Sequence, residues 1–125
     1  MTKTAVVILN WNGAKLLQQF LPSVIQFSGN ATIYVADNAS TDTSIDVLKN
    51  EFPSVKIIEN TGNFGFAKGY NEALRFVEEP YYALVNSDIE VTENWLQPIE
   101  TIFDNEPKTA IIQPKLLDFK KTIKT

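Results

Sequence analysis

Apolar and polar positions fall in blocks along this chain, and the blocks change period. Residues 4–9 (TAVVIL) are β-branched and apolar on both faces, as in a strand buried from two sides. The run stops at Asn10-Trp11-Asn12-Gly13, and residues 14–20 then read as a helix. Leu21-Pro22 interrupts that pattern, which predicts a second short helix from Pro22 to about Phe27 and a turn at Ser28-Gly29-Asn30. Residues 32–36 are a second strand, ending in Asp37-Asn38-Ala39-Ser40-Thr41-Asp42. Ser40 or Thr41 can cap the next helix, which carries Ile45, Val47 and Leu48 and ends by Asn50. Residues 55–59 form a short strand flanked by charge, as suits a sheet edge.

A turn-rich loop over residues 60–65 leads into a helix from Phe66 to Val77, with Phe66, Tyr70, Ala73, Leu74 and Val77 on one face. Residues 81–85 are a strand that ends abruptly in Asn86-Ser87-Asp88. Residues 92–105 read as a helix whose main body starts near Pro98. Residues 110–112 are a short strand closed by Gln113-Pro114, and residues 116–119 continue into a further element. Alternating strands and helices predict one α/β domain spanning 1–125, with a mainly parallel sheet and helices on both faces. Right-handed crossovers then put the strand C-termini on one rim. Each of these strand ends hands over to an amide or a carboxylate there, and open α/β sheets bind ligands at that rim.

Composition narrows the chemistry. At 44% hydrophobic residues the chain can bury a core. Its net charge of −4, with no basic block, argues against nucleic acid as a partner. There is no Cys and no His, which removes disulfides, thiolate or imidazole metal sites and any imidazole base. A metal here is bound by oxygen. No signal peptide or membrane-length apolar run is visible, so the expected location is cytoplasmic.

Several rim residues admit two readings. Asn86 and Asp88, two positions apart at a strand end, can point to one side and hold Mg²⁺ or Mn²⁺, or they are a polar turn. Asp37 can accept hydrogen bonds from a ribose hydroxyl or a pyrimidine N–H, or it caps a helix. Gly65 allows close backbone approach to a ligand or supplies a left-handed turn. Lys68 can reach a phosphate or lie in solvent. Trp11 can cover a base or pack on its loop. Gly62, Gly65 and Gly69 match neither a dinucleotide fingerprint nor a phosphate loop.

Four blocks taken together carry a resemblance: VVILNWNG (6–13), VADNASTD (35–42), NTGNFGFAKGYNEAL (60–74) and ALVNSDIEV (83–91). In this order the chain resembles family 2 glycosyltransferases of the GT-A fold over residues 4–119, and within them the rhamnosyltransferase-like branch, whose metal motif often reads Asn-x-Asp. The resemblance implies that Leu9, Asn10 and Trp11 line the nucleoside pocket and that Asp37 contacts a pyrimidine base. It implies that Asn63, Gly65 and Lys68 flank the nucleotide, and that Asn86 and Asp88 meet ribose, diphosphate and Mg²⁺ or Mn²⁺, with Asp88 as the metal ligand.

The activity so implied moves a hexosyl or rhamnosyl group, with inversion, from a UDP or TDP sugar to a saccharide or lipid-linked saccharide acceptor. The implied setting is cell-envelope polysaccharide synthesis, with peripheral contact at the inner face of the membrane. Asn86 replaces an acidic residue, and Asn38-Ala39 stands where many relatives have Asp-Gly. The acceptor half and the general base of such enzymes lie beyond the last matched block, so the expectation is a nucleotide-binding portion of a longer domain, with no base assigned. Glu90, Glu93 and Asp118 are carboxylates given no role. A non-catalytic nucleotide-sugar-binding module and, less favoured, a sugar nucleotidyltransferase are the alternatives. The latter wants a basic Gly-rich loop near the N-terminus, which residues 9–15 do not provide.

Overall fold

A computed structural model describes residues 3–106. The expected strand at 110–112, the rim residues Gln113-Pro114, the element at 116–119 and Asp118 lie outside the described residues. The order of elements is β1 (Thr4–Asn10), α1 (Ala14–Phe27), β2 (Thr32–Asp37), α2 (Ser44–Glu51), β3 (Lys56–Glu59), α3 (Gly65–Leu74), β4 (Tyr81–Asn86) and α4 (Gln97–Asn105). The four strands form one parallel sheet in the order β3-β2-β1-β4.

Burial explains that order. Every residue of β1 is buried, so it lies inside the sheet with both faces covered. Val6, Ile8, Ile33, Val35 and Val85 face α1 and α2, meeting Leu17, Leu21, Val24 and Leu48. Ala5, Val7, Leu9, Tyr34 and Ala36 face α3, meeting Tyr70 and Ala73. β3 is an edge strand, as its flanking charges suggest. Among the described residues β4 is the other edge, and beside α3 it leaves Tyr82 and Leu84 exposed.

Three helix boundaries differ from the expectation. Pro22 does not interrupt α1, which runs unbroken to Phe27. Proline removes the bond to the carbonyl four residues back and costs about 3 kcal/mol in a helix interior. Here Pro22 and Gln18 both lie on the exposed side of the helix, where water can reach the freed carbonyl, while the buried stripe Leu17-Leu21-Val24 continues against the sheet.

α3 ends at Leu74 rather than Val77, because its last turn tightens: Phe76 N–H bonds Ala73 O and Val77 N–H bonds Leu74 O. α4 starts at Gln97 rather than Thr92. Asn94 takes a left-handed φ of 59°, and Val91 N–H and Trp95 Nε1 are tied to Ser23 and Ser28 of the α1 region, so this stretch is held as a loop. No helix among the described residues is long and apolar enough to cross a membrane.

Strand order reverses at β1. The chain steps outward from β1 to β2 to β3, then returns to the other side of β1 with β4. Crossovers on the two sides of β1 leave a crevice at its C-terminal end.

Candidate functional site

At the β2 side of this crevice, the rim is a closed hydrogen-bond assembly. Asn10 and Asp37 are register partners at the ends of β1 and β2. Asn10 Nδ2 donates to Asp37 Oδ1 at 2.9 Å, and Ser40 Oγ donates to the same oxygen at 2.7 Å. Ser40 N–H donates to Asp37 Oδ2 at 2.9 Å. Asn10 is 1% and Asp37 2% exposed, so both lie beneath the surface. Asn10 Oδ1 is buried without a partner among the described residues, and a Cβ at Gly13 would stand 2.6 Å from it. The β1–α1 loop passes this close only because residue 13 has no side chain.

Asn12 fastens the two loops together. Its backbone is left-handed at φ 50°, its N–H donates to Ser40 Oγ at 2.9 Å, and its Oδ1 accepts from Thr41 N–H at 2.7 Å and Asp42 N–H at 3.2 Å. With Ser40 occupied by Asp37 and Asn12, the expected capping role passes to Asp42. Its Oδ1 accepts from Ser44 N–H at 2.9 Å at the start of α2, and its Oδ2 accepts from Ala14 N–H at 3.2 Å at the start of α1. Burial raises the Asp42 pKa, but hydrogen bonds from the Ser44 hydroxyl, Ser44 N–H and Ala14 N–H outweigh it and leave the carboxyl below its ordinary value.

Asparagine side chains carry the β3–α3 loop. Asn60 Nδ2 donates to Asn38 Oδ1 at 2.8 Å and to Gly69 O at 3.1 Å, and Asn38 Nδ2 donates to Gly65 O at 3.1 Å. A Cβ on Gly69 would stand 2.8 Å from Asn38 Nδ2 and 3.0 Å from Leu9 Cδ1, so glycine lets α3 settle on the end of β1. Gly65 takes φ 75°, the left-handed turn that the sequence allowed.

A cleft of about 270 Å³ opens above this framework. The strand ends supply Leu9, Trp11, Asn38 and Asn86-Ser87-Asp88, and the helix starts supply Leu16, Asn63, Gly65 and Phe66. Of the expected site residues, Leu9, Trp11, Asn63, Gly65, Asn86 and Asp88 meet there. Asn10 and Asp37 lie under the rim. Lys68 does not line the cleft; its Nζ sits 4.6 Å from the centre of the Phe64 ring. β4 ends at Asn86, and Ser87-Asp88 form a turn closed by Ile89 N–H to Asn86 O at 3.3 Å. The strand pleat therefore does not align Asn86 with Asp88; the turn does.

Asn38, Leu16 and Phe66 were not anticipated. Asn38 was legible as a neighbour of Asp37. Leu16 carried no signal, and the helical period places Phe66 in the core.

Asp88 is an exposed carboxylate beside the Asn86 amide and the Ser87 hydroxyl, a set of hard oxygens. Among the described residues no cluster of three His, Cys, Asp or Glu could hold a metal by itself. The residues therefore fit Mg²⁺ or Mn²⁺ that draws its remaining oxygens from phosphate and water.

A parallel α/β sheet with a cleft at its switch point belongs to the open α/β folds, which bind ligands at the carboxyl ends of their strands. Residues 5–123 match the model of glycosyl transferase family 2, and the chain belongs to that family. A comparison with curated protein sequences finds no match.

Among solved structures, the mannosyltransferase PcManGT from Pyrobaculum calidifontis, in complex with GDP-Man and Mn²⁺, is 21% identical with a TM-score of 0.66, covering 74% of this chain and 29% of that one. S. aureus TarS 1-349 in complex with UDP-GlcNAc is 19% identical with a TM-score of 0.73, covering 90% of this chain and 37% of that one. These likenesses establish the GT-A-type α/β fold, and the chain spans well under half the length of either structure.

Proposed function

We propose that the chain is the donor-binding portion of an inverting, metal-assisted glycosyltransferase of the rhamnosyltransferase-like branch. Its donor is a UDP or TDP sugar and its acceptor a saccharide or lipid-linked saccharide at the cytoplasmic face of a membrane. The observation that carries this reading is the reversal of strand order at β1. It brings Trp11 and the Asn63–Gly65 loop to the same cleft as Asn86-Ser87-Asp88. Family membership and relatives in complex with GDP-Man or UDP-GlcNAc support it.

In this reading Leu9 and Trp11 bound the nucleoside. Asp37 Oδ2, which among the described residues accepts only from Ser40 N–H, has capacity left for a base N–H. Asn63 and the Gly65 backbone flank the ribose and phosphates, and Lys68 reaches them by leaving Phe64. Asp88, with Asn86 beside it, holds the cation on the diphosphate. When bound, that cation neutralises charge on the departing diphosphate.

The test is a thermal-shift panel of UDP, TDP and GDP sugars, each with and without Mn²⁺. The expected result is stabilisation by the pyrimidine nucleotides that grows with Mn²⁺. No shift with any nucleotide sugar would sink the reading. Binding with no transfer, even in the full-length protein, would favour a non-catalytic module.

A further inference from the structure

Phe66 breaks the rule that places its helix. The buried residues of α3 are Gly69, Tyr70 and Ala73, and Phe66 lies three and four positions before the first two, on the same stripe. It is nevertheless 65% exposed. The cause is position along the axis. Gly69 sits against Leu9, near the end of β1, and Tyr70 donates to Val85 O, near the end of β4. One helical turn earlier, about 5.4 Å toward the N-terminus, the inward face of α3 has passed the end of the sheet. Phe66 therefore faces the cleft instead of the core.

Across the same cleft stand Trp11, 53% exposed, and Leu16 at the start of α1. Exposed large apolar side chains occur elsewhere on the described surface, at Phe76 and Ile102 for instance, but these three converge on one opening that Asn38, Asn63, Asn86, Ser87 and Asp88 line as well, with Leu9 and Gly65 between. Two aromatic rings at the mouth of a polar crevice suit a planar ring that carries a polar tail.

We propose that Phe66 is a base-binding residue, closing on the nucleobase from the α3 side while Trp11 covers it from the β1 side. This rests on the nucleotide-donor reading above and adds a ring contact to it. Stacking acts on the face of a base, which all bases share, so it supplies affinity without choosing among them. Discrimination falls instead to hydrogen-bonding groups at the rim.

The experiment uses the two tryptophans. Trp95 lies outside the cleft with its Nε1 on Ser28, so a Trp95→Phe background leaves Trp11 as the reporter. In that background, titration with UDP, TDP and GDP in the presence of Mn²⁺ is expected to quench Trp11. Phe66→Ala is expected to lower the affinity for all three by a similar factor, about tenfold. Phe66→Tyr restores the affinity, whereas Phe66→Leu, which keeps bulk without a ring, does not. Affinities within twofold of the parent for Phe66→Ala, or full recovery with leucine, would overturn the ring contact while leaving the nucleotide site standing. Absence of binding by the parent chain would bring down both. Because Phe66 is exposed, the unliganded variants should melt with the parent, which separates lost contact from lost fold.

Discussion

Asp37 and Asp88 stand on either side of β1 at one rim, yet the chain treats them in opposite ways. Asp37 is buried and takes bonds from Asn10, Ser40 Oγ and Ser40 N–H. Asp88 is exposed on a turn, with no hydrogen-bond partner among the described residues, and lines the cleft. A buried carboxylate with three donors shapes a loop first and keeps at most one acceptor position on Oδ2 for a base; an exposed one beside an open cleft is wholly available to a ligand. The β2 side of the rim is thus the rigid wall that sets the site, and the β4 side is where charge waits for a partner.

The sharpest way to break this comparison is to remove each carboxylate. Asp37→Ala removes the acceptor of three donors, one buried and two part-buried, and leaves Asn10 Nδ2 only its longer bond to Ser40 Oγ, so a loss of about 2 kcal/mol or more is expected in urea unfolding without ligand. Asp37→Asn should fall between, since its oxygen can still accept from Asn10 and Ser40 Oγ while its NH₂ opposes Ser40 N–H. If Asp37→Ala unfolds with the parent, Asp37 is not the post that holds the rim.

Asp88→Ala should do the reverse. Its unfolding curve stays within about 0.5 kcal/mol of the parent, as for other exposed sites away from special contacts. What it loses is the gain in nucleotide affinity that Mn²⁺ confers, about tenfold or more, read by calorimetric titration with and without the metal. A variant that keeps this gain would place the cation elsewhere.

The same contrast marks how far the sequence could be read. Strands, their parallel arrangement and the polar rim were legible because burial on both faces writes a continuous apolar run, as in β1. Asp88 was legible because a carboxylate just past a strand end faces whatever lies over the sheet. The inward fate of Asp37 was not, because it depends on Asn10 and Asn12, which meet the 37–42 loop only once β1 and β2 are in register. Pro22 misled because local propensity says nothing of which side of a helix will be wet. Phe66 misled because the helical period carries no information about where a sheet ends.

A weaker lever acts through pH. Asp42 and Glu79 both lie below their ordinary values. Burial raises each, but hydrogen bonds from Ser44 and Ala14 to Asp42, and from Tyr34 and Thr32 to Glu79, outweigh it. Unfolding raises these pKa values, so the unfolded chain binds more protons between the two values, and stability there increases with pH. Their contribution is complete above the unfolded values near 4 and is lost as pH falls through the native ones. Urea midpoints measured from pH 6 down to pH 3 should decline at the acid end, and Asp42→Asn should flatten part of the decline. An unchanged slope in that variant would mean the bridge between the α1 and α2 N-termini adds nothing to folding.

The smallest effect tests whether the rigid wall is also a strained one. Ala39 takes φ 59°, a left-handed conformation that costs a residue with a Cβ about 1–2 kcal/mol. Ala39→Gly relieves that cost but adds freedom to the unfolded chain, worth about 0.4–1 kcal/mol in the other direction. The net should be a gain of a few tenths of a kcal/mol in unfolding. Nucleotide affinity should be unchanged, since Asn12, Ser40 and Asp37 hold the loop whatever residue 39 is. If Ala39→Gly instead weakens nucleotide binding while stabilising the fold, the β2 side does more than stand still. Its backbone would then be held off its resting shape for the ligand, and the division between a shaping side and a binding side would have to be redrawn at this loop.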